Sequence, residues 1–192
     1  MSTVRLNLKG VTTLLVDSDN FTRGLIAQML RGFGVETPAI YDSGRAAKAH
    51  LTHNMADLCI LEATFPDMSG ADLIRWIRRQ EKSPIRFVPI IVLTSYTQHR
   101  QVTAARDAGA NVVLRKPVSP QVLFDHIAWV AKVPRPFIEA GAYVGPDRRF
   151  REIPPPDGEK KRESDYTEID DGTETASSAE DGENPLKEAA TG

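Results

Sequence analysis

The sequence predicts an α/β protein built on a five-stranded parallel sheet with helices on both faces. Three observations lead there. Short apolar runs rich in β-branched residues recur along residues 11–133, stretches with helical spacing separate them, and the resulting order is βαβαβαβαβα. Strands that alternate with helices close as a parallel sheet, because parallel neighbours need a crossover connection that a helix supplies. The 192 residues leave room for one such domain and an appendage.

The elements follow in order. Residues 11–16, Val-Thr-Thr-Leu-Leu-Val, read as a buried strand, and residues 21–33 place Leu25, Ile26, Met29, Leu30 and Phe33 on one helical face. A weaker strand at 36–41 and a short helix at 43–51 come next, then a strand at 57–61. Residues 71–79 turn Leu73, Ile74, Trp76 and Ile77 toward the core and Arg75, Arg78 and Arg79 toward water. A strand at 88–93, a helix at 98–108, a strand at 111–114 and a helix at 119–131 complete the series.

The net charge of −2 averages two unlike parts. Residues 153–192 carry twelve Asp and Glu against four Lys and Arg, a net of −8, which leaves +6 on the rest. Their only Val, Ile, Leu or Met residues are Ile153, Ile169 and Leu186, too few to offset the entropy of ordering, so an acidic disordered tail is expected. No apolar run approaches the roughly 20 residues of a membrane span. No long apolar region with a small-residue cleavage site precedes Val16, so no secretory signal is expected. Cys59, the single cysteine, lies in an apolar run and reads as a buried thiol in a reducing compartment. These features point to the cytoplasm. They divide the chain into a domain over 10–133, an arginine-rich segment over 134–152 and the tail over 153–192.

In parallel α/β sheets, ligands and chemistry gather at the carboxyl ends of the strands. There the sequence offers Asp17-Ser18-Asp19, Glu62, Thr94 and Lys116-Pro117. Carboxylates, a hydroxyl and an ammonium at one sheet edge suit a divalent cation and a phosphoryl group. Val16-Asp17, Pro66-x-Met68-x-Gly70, Leu93-Thr94 and Lys116-Pro117, in register along residues 11–133, resemble the CheY-type response-regulator receiver domain. The resemblance implies a flavodoxin-like fold, a phosphate-accepting aspartate at the end of the third strand, two adjacent acids after the first, a cis Lys116-Pro117 bond and a switch aromatic at Val113.

The departures matter most. Glu62 stands where the family has its aspartate, Ser18 replaces the second acid and Val113 replaces the aromatic. One extra methylene moves the Glu62 oxygens from the position of in-line attack, and positioning is worth several kcal/mol in such reactions. With Ser18 neutral, Asp17 and Glu62 form at best a weak Mg²⁺ site. Phosphorylation is expected to be poor or absent, and no catalysis is expected. Two readings of Glu62 stay open: a residual anion paired with Lys116, or a mimic of the phosphorylated state that reaches toward Thr94 and Lys116.

The segment over 134–152 offers another input. It is too rich in Pro and Gly for a helix and is expected to be irregular. Arg148, Arg149 and Arg151 cluster beside Asp147, with Arg135 and Phe137 at its start and Tyr143 before a Gly145-Pro146 turn. Arginine binds phosphate or guanine O6 and N7 bidentately and stacks on bases; a carboxylate accepts from guanine N1–H and N2–H₂. Phe137 and Tyr143 offer stacking faces. A ligand that joins guanines and phosphates compactly, such as cyclic di-GMP, would use them all. Tyr143-Val-Gly-Pro-Asp-Arg-Arg-Phe-Arg151 also resembles the arginine-rich extension of the Cle family, CheY-like cyclic di-GMP effectors. That resemblance implies a protein partner, the flagellar motor switch or another motility or attachment machine, met through residues 97–131.

Rival readings stand beside this one: a phosphorylation-dependent single-domain response regulator, a ligand-independent adaptor, or a basic linker paired with the acidic tail. DNA binding is not expected, because no helix carries a stripe of Lys and Arg. His50 and His53 lack a completing carboxylate or Cys for a metal and read as surface residues. Trp76 and Trp129 read as helix-core residues rather than ligand contacts.

Overall fold

A computed structural model describes residues 8–81, 83–95, 99–133, 135–141 and 143–147. The strands are β1 (Thr13–Val16), β2 (Ala39–Tyr41), β3 (Leu58–Glu62), β4 (Ile90–Thr94) and β5 (Val112–Arg115). The helices are α1 (Asn20–Gly32), α2 (Gly44–His53), α3 (Gly70–Arg78), α4 (His99–Asp107) and α5 (Pro120–Lys132). The five strands form one parallel sheet in the order β2-β1-β3-β4-β5. The predicted fold is thus the observed one, with element ends displaced by a few residues.

Alternation along the strands divides the core in two. Leu14, Val16, Cys59, Leu61, Ile90 and Val92 face α2, α3 and α4, where Leu51, Leu73, Ile74, Ile77 and Ala105 close the layer. Leu15, Ile60, Ile91, Leu93 and Leu114 face α1 and α5 through Ile26, Leu30, Leu123, Ile127 and Trp129. Cys59 is buried as expected, and burial pushes its thiol up to about 12, so it is an inert core residue. Leu25 departs from its expected place: it sits at the edge of the α1 stripe and is exposed.

Local signals fix the helix starts. Asp19 accepts from the Thr22 amide at 2.7 Å to cap α1, and the Ser69 and Ser119 hydroxyls cap α3 and α5. Asp67 accepts from the Gly44 and Arg45 amides at 3.1 and 2.8 Å and so ties the loop after β3 to the start of α2. Among the described residues, no helix is long and apolar enough to cross a membrane.

Two further sequence expectations are overturned. The segment after α5 is not irregular: β6 (Phe137–Ala140) and β7 (Tyr143–Pro146) form an antiparallel hairpin in which Phe137 pairs with Pro146 and Ala140 with Tyr143. Its turn is at Gly141, whose φ of +60° glycine adopts without strain, and the supposed Gly145-Pro146 turn lies inside β7. The β-forming residues Phe137, Ile138, Tyr143 and Val144 outweigh the Pro and Gly count.

Arg78, expected in water, is 1% exposed. Its guanidinium donates to the Gly109 carbonyl through Nε at 3.1 Å and Nη2 at 2.9 Å. It also reaches the Arg86 and Val88 carbonyls at 2.7 and 2.8 Å and Asn111 Oδ1 at 3.2 Å. All these acceptors are neutral, and burial lowers the guanidinium to about 10, which still leaves it charged at neutral pH. Arg78 stays folded in because it ties the end of α3 to the segments that enter β4 and β5.

The hairpin covers this arginine. Phe137 lies 5.0 Å beneath the Arg78 guanidinium and meets the Phe87 ring edge-on at 5.1 Å. Glu139 pairs with Arg86, which lies in the 3₁₀ turn Pro84–Phe87. These contacts lie at the amino ends of β4 and β5, opposite the edge that carries Asp17 and Lys116.

Candidate functional site

At the carboxyl edge, β1 delivers Asp17 and Ser18, β3 delivers Glu62, β4 delivers the buried Thr94, and the turn after β5 delivers Lys116. The Lys116 amide donates to the Thr94 carbonyl at 2.8 Å, and the Lys116-Pro117 bond is cis, as the resemblance implied. The Lys116 ammonium donates to Asp17 Oδ2 at 2.5 Å and to Glu62 Oε1 at 3.0 Å. Ser18 donates to Glu62 Oε2 from its amide at 3.0 Å and from its hydroxyl at 2.7 Å. The sequence brought these residues together correctly. It did not foresee that Ser18 would bind Glu62, which needs the reach of the extra methylene. Both Glu62 oxygens are therefore committed, one to Ser18 and one to Lys116, which favours the paired-anion reading over mimicry.

The two carboxylates respond differently. Burial pushes the Asp17 carboxyl up, and the Lys116 ammonium recovers only part of that. Burial also acts on Glu62, but the hydroxyl and amide of Ser18 together with Lys116 hold its carboxyl below the usual range. A Mg²⁺ ion does not fit this donor set. Mg²⁺ asks for near-octahedral oxygen ligands. Here an ammonium sits between the two carboxylates, and Asp19 is turned away to cap α1. Among the described residues no group of three or more His, Cys, Asp or Glu side chains could hold a metal ion. His50 instead meets the Tyr41 hydroxyl through Nδ1 at 2.9 Å.

Of the residues predicted to bind a dinucleotide, Arg148, Arg149 and Arg151 lie outside the described residues. The others meet at the hairpin. Arg135 stacks over the Trp129 ring of α5 at 4.5 Å. Phe137 is occupied by Arg78 and Phe87, so it is not the open stacking face that was expected. The Tyr143 hydroxyl donates to the Pro146 carbonyl at 2.7 Å and braces β7. Gly145 and Pro146 are buried, and the Asp147 amide donates to the Pro136 carbonyl at 2.7 Å. Trp129 is the residue that sequence reasoning missed here. It is a core residue, yet one face of its ring carries Arg135, and only the hairpin's return path makes that visible.

A doubly wound sheet in the order 2-1-3-4-5, with a lysine, acids and a threonine gathered at its carboxyl edge, defines a receiver-type signalling domain. Residues 13–128 match the response regulator receiver domain, and the chain belongs to that family. It is 31% identical over 114 residues to the chemotaxis protein CheY of Pseudomonas aeruginosa, covering 59% of this chain and 90% of that protein. It is 27% identical over 115 residues to CheY-3 of Vibrio cholerae, covering 60% and 87%. Among solved structures, a response regulator from Chloroflexus aurantiacus superposes with a TM-score of 0.59 at 30% identity, over 64% of this chain and 98% of that one. The receiver domain of the histidine kinase PA1611 from P. aeruginosa, which holds magnesium in its active-site cleft, superposes with a TM-score of 0.55 at 29% identity, over 60% and 92%. These similarities cover the sheet domain.

Proposed function

We propose that this chain is a degenerate receiver that binds cyclic di-GMP through residues 134–152 and signals the bound ligand to a protein partner, as the Cle effectors it resembles do. The observation that carries this reading is the commitment of both Glu62 oxygens, to Ser18 and to Lys116. That network occupies the ground a phosphoryl group and its cation would need, so the input is sought elsewhere. The docked hairpin supports the reading because it holds Arg135 and Asp147 beside the point where Arg148, Arg149 and Arg151 begin. The relatives named as chemotaxis proteins favour a motility partner, the flagellar motor switch first. The −8 tail is an anionic competitor for the same arginines.

A second reading, a phosphorylation-dependent regulator, is favoured by the retained Lys116–Asp17 pair at 2.5 Å. Calorimetric titration of cyclic di-GMP into the full chain, and into its Arg148→Ala, Arg149→Ala variant, separates the readings. Heat with the full chain that is lost in the variant is expected. No heat with the full chain overturns the proposal, and partner binding indifferent to both ligand and variant leaves an adaptor.

A further inference from the structure

Helix α1 turns to water an apolar face that its own domain does not use. Phe21 is 79% exposed and Leu25 41%, and at positions i and i+4 the two side chains are neighbours on the helix surface. Gly24 and Gln28 are exposed on the same face. Single exposed apolar residues are ordinary, but adjoining ones on one helix face mark a contact surface. Gly24 sharpens the case. It lies inside a 13-residue helix, where glycine is disfavoured, and a Cβ built on it would meet nothing within 4 Å. Nothing in the domain requires a glycine there; a second backbone that approaches α1 closely does.

The ends of the helix carry opposite charge. Asp19 caps the amino end and is exposed, and Arg31 lies exposed in the last turn with no ion-pair partner among the described residues. A second copy laid antiparallel on this face, with the two-fold axis between Gly24 and Leu25, sets each Leu25 over the notch at the other copy's Gly24. Phe21 then covers the stem of Gln28, and Arg31 stands opposite Ser18. Helical side chains lean toward the amino end of their own helix, and in an antiparallel pair that lean carries Arg31 from Ser18 to Asp19. The ion pair forms twice, and the two helix dipoles oppose. A parallel pair would set Arg31 against Arg31 and Asp19 against Asp19. The order of acid, apolar face with its notch, and base is thus complementary to itself read backwards, which selects a second copy as the occupant.

We propose that the chain self-associates through α1, with two copies of the helix packed antiparallel, Leu25 seated at Gly24 and Asp19 paired with Arg31 at both ends. The contact does not use the hairpin and holds whether or not the extension binds a dinucleotide.

Sedimentation equilibrium of the full chain, loaded from about 10 µM to about 1 mM, tests this. One helix per copy is a small contact, so a dissociation constant within that range is expected. The weight-average mass should rise from 21.2 kDa toward twice that value. Phe21→Ser with Leu25→Ser should weaken association at least about tenfold. Arg31→Glu should weaken it about three- to tenfold, and less at high salt. Gly24→Ala is the sharpest variant, because its two effects have opposite sign. It should raise the melting temperature of the dilute single copy, since alanine favours the helix, and weaken association at least about threefold by filling the notch. Circular dichroism melting checks the folding of each variant. A single-copy mass at every loading overturns the proposal and leaves this face to a helix of another protein. Association that the variants leave unchanged runs through another face and overturns it as well.

Discussion

Gly145 lies against Gly109 backbone to backbone: a Cβ built on Gly145 would stand 2.8 Å from the Gly109 Cα. A Cβ on Gly109 would in turn meet the Val144 carbonyl oxygen at 2.5 Å, and Gly109 has a φ of +103° that disfavours any other residue. The hairpin is therefore seated on the turn between α4 and β5, not merely tethered after α5. Gly145→Ala should lift it and cost about 1–3 kcal/mol through overpacking. Urea unfolding reads the loss, and faster amide exchange in β6 and β7 locates it.

Arg78→Met should be more damaging. It removes every donor to the Gly109 carbonyl described above and leaves the Arg86 and Val88 carbonyls without their guanidinium partner. Orphaned buried acceptors cost about 1–3 kcal/mol each, offset in part by no longer desolvating a cation. A net loss of about 2–4 kcal/mol is expected in urea unfolding, and Arg78→Lys should recover little because a single ammonium cannot span acceptors on both segments.

The carboxyl-edge network predicts an acid response with two opposed parts. Glu62 titrates lower in the folded chain than its ordinary 4.5, so its contribution is present above that pH and lost as pH falls through the folded value. Asp17 titrates higher than its ordinary 3.8, so its burial penalty is present at neutral pH and is relieved as pH falls through its raised value. Ser18→Ala removes one of the two bonds that Ser18 donates to Glu62, the hydroxyl's, because the backbone amide stays. It should cost about 1–2 kcal/mol at neutral pH and flatten the acid limb of stability against pH. Carbon NMR titration of the Glu62 carboxyl should show its midpoint move up.

Phosphorylation by acetyl phosphate with Mg²⁺ should leave the protein unmodified by intact mass. The Ser18→Asp, Glu62→Asp variant restores the second acid and shortens the acceptor, which frees Lys116 from the longer carboxylate. It should gain a phosphoryl adduct that the original chain lacks. Adduct on the original chain at Glu62 would show that the extra methylene does not disable the pocket.

The sheet was legible because its signals are local: runs rich in β-branched residues at Val11 to Val16 and Ile90 to Leu93, and serine and aspartate caps, each fix an element without help from distant residues. The convergence of Asp17, Glu62 and Lys116 was legible for the same reason, since strand ends in a parallel sheet must share an edge. Arg78 was not. Helical spacing put it beside Arg75 and Arg79 on the polar side, and the groups that bury it are Gly109 and Phe137, far along the chain. The hairpin carried a signal in Phe137-Ile138 and Tyr143-Val144 around Gly141, but Pro and Gly counts masked it. The Arg135–Trp129 stack depends on where the chain returns after α5, which no local pattern encodes.

The burial of Arg78 beneath Phe137 ties the extension to the sheet domain, so loosening of the hairpin should lower the stability of the sheet. A cut at residue 133 would open that cation to water and strip the cover from the amino ends of β4 and β5. The receiver portion cut at that point should therefore melt lower than the full chain. Whatever binds the folded hairpin draws the whole domain toward the native state by mass action, so occupancy of the extension is written into the melting temperature of the sheet.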